Sequence, residues 1–357
     1  MHELERPAPT FPRMIVATTW TGVELQQQLL TDGLLDALAT NNYGLALAMI
    51  DLSDARAAVM RQLNQHAVYT VAWLLLPPDE GYRLTLHNYP QAIEHYRAIH
   101  AWALEHDLQI DAVGLGIESL ADDRGQIRNY GPGTLWERLQ DEYEFYRNAR
   151  MAYHDLADEI RRDGYEIHAY QLPLLADDRR AGTTLVQRAL DVVDLPSDVE
   201  VLICSSRWTV EGLGRDLGAA LISSYRSDTD SIGIGNTTGL LTLEQRYGQH
   251  HPLDWHVLER DLLLAARHTD IVYLFALESC LECGLLPRIA ALDWQQEPDV
   301  PMRSMVVLET FRLSLLLVLL LARFYRGVLS WLGWILAAVL FAQQLYRWRR
   351  ERVKRKA

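Results

Sequence analysis

Between residues 14 and 290 the chain alternates short, continuously apolar runs with longer stretches whose apolar residues recur every three or four positions. The runs are MIVATTW (14–20), YGLALAMID (43–51), HAVYTVAWLLL (66–76), IDAVGLGIE (110–118), EIHAYQLPL (166–174), VEVLICSS (199–206), SIGIGN (231–236) and IVYLFALES (271–279). A strand that is apolar throughout, rather than at every second position, is one covered on both faces, as parallel strands are. Intervening stretches such as YPQAIEHYRAIHAWALEHD carry the helical period. About eight strand–helix repeats in this length predict an α/β fold, a (β/α)₈ TIM barrel over residues 14–295 behind an extension at 1–13. A doubly wound open sheet is the alternative. The first strand–helix junction, TTWTGVEL, lacks a dinucleotide fingerprint, which lowers the nucleotide-binding version of that sheet.

After a linker at 296–304 the pattern changes. VLSWLGWILAAVLFAQQLY, from Val328 to Tyr346, contains no charge, and with its flanks it reaches the roughly 20 apolar residues that span a bilayer core. Trp331, Trp334, Tyr346 and Trp348 stand near its ends, where amphipathic rings prefer the interface. The preceding MVVLETFRLSLLLVLLLA (305–322) is nearly as apolar but carries Glu309 and Arg312, one helical turn apart, to pair on one face or to lie at headgroup depth. A two-helix transmembrane hairpin over 305–346 places the basic tail RWRRERVKRKA and the barrel on the same, cytoplasmic side. An amphipathic helix lying in the interface is the alternative for the first segment.

Charge sharpens this division. Residues 303–357 hold 11 basic and 2 acidic residues, leaving 23 basic and 45 acidic in residues 1–302. So acidic a body is repelled by phosphate backbones, which argues against nucleic acid as a partner. Cys204, Cys280 and Cys283 cannot form a disulfide framework, and the N-terminus has no basic start followed by an apolar core. Both features fit a barrel facing the cytoplasm, on an integral protein of the cell membrane.

In a barrel the chemistry sits where strands end. Those ends read Trp20, Asp51, Pro77, Glu118, Gln171, Ser205 with Arg207 and Trp208, Asn236 with Thr237, and Glu278. Rings that stack on a pyranose, together with acids and amides that bind hydroxyls, describe a sugar-binding mouth. Glu118, closing an apolar strand, is the candidate general acid, because desolvation raises a carboxyl pKa. Asp51 or Glu278 is the candidate second carboxylate that glycoside hydrolysis usually requires. Trp20, Gln171, Arg207, Trp208, Asn236 and Thr237 are candidate substrate-binding residues. A structural Glu118 paired with Arg124 or Arg128 is the competing account.

The octet DAVGLGIE (Asp111 to Glu118) resembles the fourth-strand signature D-x-x-D-x-D-x-E of chitinase-type glycoside hydrolases. The resemblance implies a TIM barrel with Glu118 as catalytic acid, while Gly114 and Gly116 stand where the signature has aspartates. In that family the aspartate two residues before the acid orients the substrate's acetamido group, which Gly116 cannot do. The chain as a whole looks most like a group of bacterial glycosidase-like, membrane-anchored barrels.

Other motifs carry less. GIGNTTG (233–239) follows the seventh strand, where phosphate-binding barrels wrap a phosphate in backbone N–H groups, so a phosphosugar enzyme is one alternative. CLEC (280–283) has metal or redox spacing without a second pair, and GQHHPLDWH (248–256) reads as a solvated loop; no metal and no cofactor are expected. SSRWTVEG lacks a nucleophile elbow. The expected function is therefore a membrane-anchored glycoside-hydrolase-like barrel acting on or binding a saccharide, free or lipid-linked. The alternatives are an inactive carbohydrate-binding barrel and the phosphosugar enzyme.

Overall fold

A computed structural model describes residues 12–31, 33–117, 144–204, 216–235 and 254–324. Eight parallel strands close into a barrel in sequence order: β1 (Arg13–Thr18), β2 (Gly44–Ala48), β3 (Thr70–Trp73), β4 (Ala112–Leu115), β5 (Glu166–Gln171), β6 (Val199–Cys204), β7 (Ser231–Gly235) and β8 (Ile271–Phe275). Closure is made by β1 and β8, with Ala17 opposite Phe275 and Arg13 opposite Ile271.

Because side chains alternate along a strand, each apolar run feeds two cores. Met14, Val16, Leu45, Leu47, Ile167 and Ala169 face the helix layer and join the larger core. Ile15, Ala17, Ala46, Ala48, Val71, Trp73, Tyr170, Val201, Ile203, Tyr273 and Phe275 fill the barrel. Large and small residues alternate around the interior. Trp73, Tyr170, Tyr273 and Phe275 form a knot of edge-to-face and stacked rings with centroids 5.3–6.0 Å apart, and alanines and glycines supply the space.

Local signals set the helix starts. Thr21 and Glu24 form a capping box at Gly22–Thr31: both the backbone N–H and the hydroxyl of Thr21 donate to Glu24 Oε2 at 2.8 Å. Ser53 Oγ accepts from the Arg56 N–H at the start of Asp54–Gln65, and Asp254 caps Trp255–Ala266. The strands end short of their apolar runs. The fifth ends at Gln171, because Pro173 turns the chain into the helix Leu174–Ala181. The eighth ends at Phe275, so Glu278 lies in the first turn of Leu277–Glu282.

The helix Met302–Phe324 contains an 18-residue stretch with a mean hydropathy of 2.2 and is long and apolar enough to cross a membrane. One face is docked. Leu308 enters the larger core, while Leu315, Leu316, Leu319 and Leu320 pack with Leu175, Val186 and Val192. The opposite face exposes Val306, Val307, Phe311, Leu317, Val318, Leu321 and Phe324. Arg312 is buried in the docked face: its guanidinium reaches Asp177 at 3.0 Å and Asp228 at 2.9 Å, and lies 3.6 Å from the Tyr225 ring centroid. Glu309 is a weaker neighbour at 4.0 Å and accepts instead from Ser224 Oγ at 2.6 Å. The second apolar run, 328–346, and the basic tail lie outside the described residues.

Candidate functional site

The carboxyl-terminal rim of the barrel is built around the segment that leaves β1. Glu278 reaches across from the start of its helix, and its Oε1 accepts from Thr18 Oγ1 (3.0 Å), the Thr19 N–H (2.7 Å) and Thr19 Oγ1 (3.0 Å). Its Oε2 is buried and has no hydrogen-bond partner among the described residues. Buried polar atoms are usually paired, so this oxygen is an acceptor in need of a donor.

Asp51, at the end of the second apolar run, holds the other end of the same segment. Its carboxylate accepts from the Gly22 N–H at 3.3 Å, from Ser53 Oγ at 2.6 Å and from Arg56 Nη2 at 2.7 Å. Arg56 is fully buried and also donates to the Trp20 carbonyl at 2.6 Å. Burial pushes the Asp51 carboxyl up, but the hydrogen bonds from Ser53 and Arg56 and the guanidinium charge outweigh it, and the pKa lies below the ordinary value. Asp51 is thus an anion at neutral pH with most of its lone pairs in use. That suits an electrostatic role better than proton transfer.

Trp20 is half-buried and packs against the larger core. Gln171 is 3% exposed and faces the helix layer: it donates to the Leu195 carbonyl at 3.1 Å and receives Arg179 at 3.4 Å. Strand parity is the reason, since Tyr170 takes the interior position. Glu118, Arg207, Trp208, Asn236 and Thr237 lie outside the described residues. The residue before Glu118, Ile117, bridges to Leu84 and carries the β4 line to the rim.

Gly114 and Gly116 face the barrel interior, and Tyr170 occupies the space beside them. A Cβ on Gly114 would lie 2.5 Å from the Tyr170 hydroxyl, and one on Gly116 would lie 3.3 Å from Tyr170 Cβ. The signature's two middle acids are therefore replaced by a tyrosine from the neighbouring strand. Gly233, read from the sequence as part of a phosphate loop, serves packing in the same way, since a Cβ there would meet Ile203 Cδ1 at 2.7 Å. Residues 236–239 of that loop lie outside the described residues.

A polar relay at the amino-terminal end of the barrel had no sequence signal, because its members sit on three different strands or their approaches. His168 is fully buried, with Nδ1 against the Tyr273 hydroxyl and Nε2 3.3 Å from Tyr69, whose hydroxyl donates to Glu166 at 2.9 Å. Every donor is satisfied if Tyr273 donates to Nδ1 and Nε2–H donates to Tyr69. Burial, outweighing the nearby Glu166, holds the imidazole pKa below its ordinary value, so the ring is neutral. Of the three cysteines, Cys204 and Cys280 are buried and Cys283 is exposed; burial, reinforced by Glu278, raises the Cys280 thiol pKa. Among the described residues no three His, Cys, Asp or Glu side chains converge as a metal site would require.

The closed, eight-stranded parallel barrel decides the architecture. The fold is a TIM barrel. The PgaB (BpsB) glycoside hydrolase domain from Bordetella bronchiseptica superposes with a TM-score of 0.50 at 11% identity, over 80% of this chain and 99% of that one. A GH18 chitinase from Pseudoalteromonas aurantia follows at 0.45 and 10%, over 78% and 99% of the two chains. A D-allulose 3-epimerase from Methylomonas sp. reaches 0.42 at 12%, over 85% and 98%. At such identities the likeness speaks for the fold alone. No protein-family model matches the chain, and no curated protein matches it.

Proposed function

We propose that this protein is a membrane-anchored, glycoside-hydrolase-like barrel that engages a saccharide at the membrane surface, with Glu118 as general acid and Glu278 as its partner across the mouth. The observation that carries this reading is Glu278: a carboxylate held at the strand ends by three donors on one oxygen, with the other oxygen unpaired among the described residues. An acceptor fixed in this way suits a sugar hydroxyl or an attacking water. Asp51, an anion paired with Arg56 and bound to the same segment that leaves β1, adds a carboxylate to this rim.

A binding-only barrel is the second reading. Tyr170 in the place of the signature's acids and the commitment of Asp51 to Arg56 favour it. The two separate on one set of variants. For an enzyme, the full chain turns over an aryl glycoside, and Glu118→Gln lowers kcat by roughly 10²-fold or more while Glu278→Gln lowers kcat/KM. For a binding module, glycans bind without turnover and Glu278→Gln weakens them. Neither turnover nor glycan binding would overturn both readings.

For the anchor, the docked face of Met302–Phe324 supports a helix lying in the interface rather than the first span of a hairpin. Spanning would require drawing Arg312 away from Asp177 and Asp228, whereas lying flat leaves that face on the barrel and gives Val306, Phe311, Leu317 and Leu321 to the acyl boundary. The uncharged run at 328–346 would then supply a single span, which sets the basic tail on the opposite side of the membrane from the barrel in place of the shared side expected of a hairpin. A substrate that is itself at the membrane, such as a lipid-linked saccharide, fits this arrangement.

A further inference from the structure

Where the end of Met302–Phe324 meets the helices Glu144–Arg162 and Leu185–Leu190 there is a cavity of about 440 Å³. Three arginines line it, Arg150, Arg188 and Arg323, together with Gly182, Thr183 and Thr184. We infer that this cavity is a binding site for a phosphoryl oxyanion, supplied either by an anionic lipid headgroup or as free phosphate.

The chemistry of the lining points to this class. Guanidinium groups present planar forks of N–H donors matched to phosphate oxygens, and threonine hydroxyls add neutral donors. Convergence of three arginines is notable in a body whose first 302 residues hold 45 acidic and 23 basic residues. Arg150 and Arg323 have no ion-pair partner among the described residues, so their charge is available. Arg323 is held in place by its donation to the Ala181 carbonyl at 2.7 Å, and Arg188 by its bond to the Thr184 carbonyl at 3.3 Å.

The carboxylate nearest this turn, Asp178, is fully buried and turned inward, accepting from Thr183 Oγ1, the Leu185 N–H (3.1 Å) and the Gln187 N–H (3.3 Å). It therefore shapes the Thr183–Leu185 turn. Gly182 completes the seat: its φ is +64°, and a Cβ there would stand 2.1 Å from Arg323 Nη1. The helix that carries Arg323 exposes Leu317, Val318, Leu321 and Phe324, so a lipid lying along that face would bring its phosphate to the arginines. The lipid source rests on the membrane reading above; the free-phosphate source does not.

The test uses the full chain in an uncharged detergent at roughly 150 mM salt, where surface attraction is screened. Calorimetric titrations with dihexanoyl phosphatidic acid and, separately, with inorganic phosphate are compared between wild type and the double variant Arg150→Gln/Arg188→Gln. At least one probe binds, and the double variant weakens it about tenfold or more. Binding of the lipid alone identifies a headgroup, and binding of both identifies any phosphoryl group. If neither probe binds wild type, or if the variant binds equally well through the basic tail, the inference fails. Should the variant not fold, wild type still decides: bound probe protects Arg150 and Arg188 from phenylglyoxal, and absence of protection overturns the site. If the chain proves not to associate with membranes while phosphate still protects both arginines, the membrane reading falls and the pocket stands.

Discussion

At the residue scale, single atoms decide what the barrel interior accepts. Gly114 tolerates no side chain because the Tyr170 ring lies within 3 Å of where a Cβ would be. Overpacking of this kind costs about 1–3 kcal/mol, so Gly114→Ala should lower the urea midpoint, and Gly114→Ala/Tyr170→Leu should recover part of the loss. A single variant that leaves the midpoint unchanged would show that Tyr170 moves aside freely. His168 sets a second expectation. Its folded pKa lies below the ordinary value of about 6.5, so the unfolded chain binds the extra proton first. The stability it contributes is complete above that value and is lost as pH falls toward the folded pKa. Melting curves between about pH 7 and pH 5 should show a steeper loss for wild type than for His168→Gln. Parallel curves would assign the acid sensitivity elsewhere; the depressed Asp51 carboxyl acts only at lower pH, near and below its ordinary value of 3.8.

At the scale of elements, two buried arginines act as bolts. Arg56 is fully buried, pairs with Asp51 and ties the β1 exit to the helix Asp54–Gln65. Removing one partner of a buried pair leaves an uncompensated charge, at a cost of about 3–5 kcal/mol. Asp51→Asn should therefore lower Tm strongly, so its activity has to be read beside its melting curve. A normal Tm with lost turnover would instead make Asp51 a catalytic partner. Arg312 plays the same part for Met302–Phe324, whose side chains otherwise offer the barrel mainly leucines. Arg312→Ala should release this helix, seen as faster amide exchange across 302–324 with the barrel strands still protected. Uniform exchange throughout would show that the helix and the barrel unfold together.

At the scale of the whole molecule, an acidic barrel carries an apolar helix face, and its sequence continues into an uncharged run and a basic tail. Such a body should co-sediment with vesicles and remain bound at high salt, because burial of apolar area does not depend on screening. Leu317→Lys/Leu321→Lys places two charges on the exposed face and should shift the chain toward the supernatant if the helix contributes to binding. An unchanged distribution would assign all anchoring to residues 328–346.

Much of the architecture was legible in one dimension. Eight apolar runs spaced by helical periodicity specify a barrel because period and length are local properties, and caps such as Thr21–Glu24 mark their helices directly. The expectation that Glu278 and Asp51 stand near strand ends was also readable, since position along the chain fixes height in the barrel. Which way a side chain points at that height was not. One step of register turned Gln171 to the helix layer and Tyr170 to the interior, and strand neighbours set by barrel closure placed that ring against Gly114. Likewise, the apolar pattern of 305–322 records that the segment must leave water, not what covers it. Only the tertiary structure decided that one face meets the barrel through Arg312, Asp177 and Asp228, because those partners lie 84–135 residues apart and no periodicity encodes a contact over such separations.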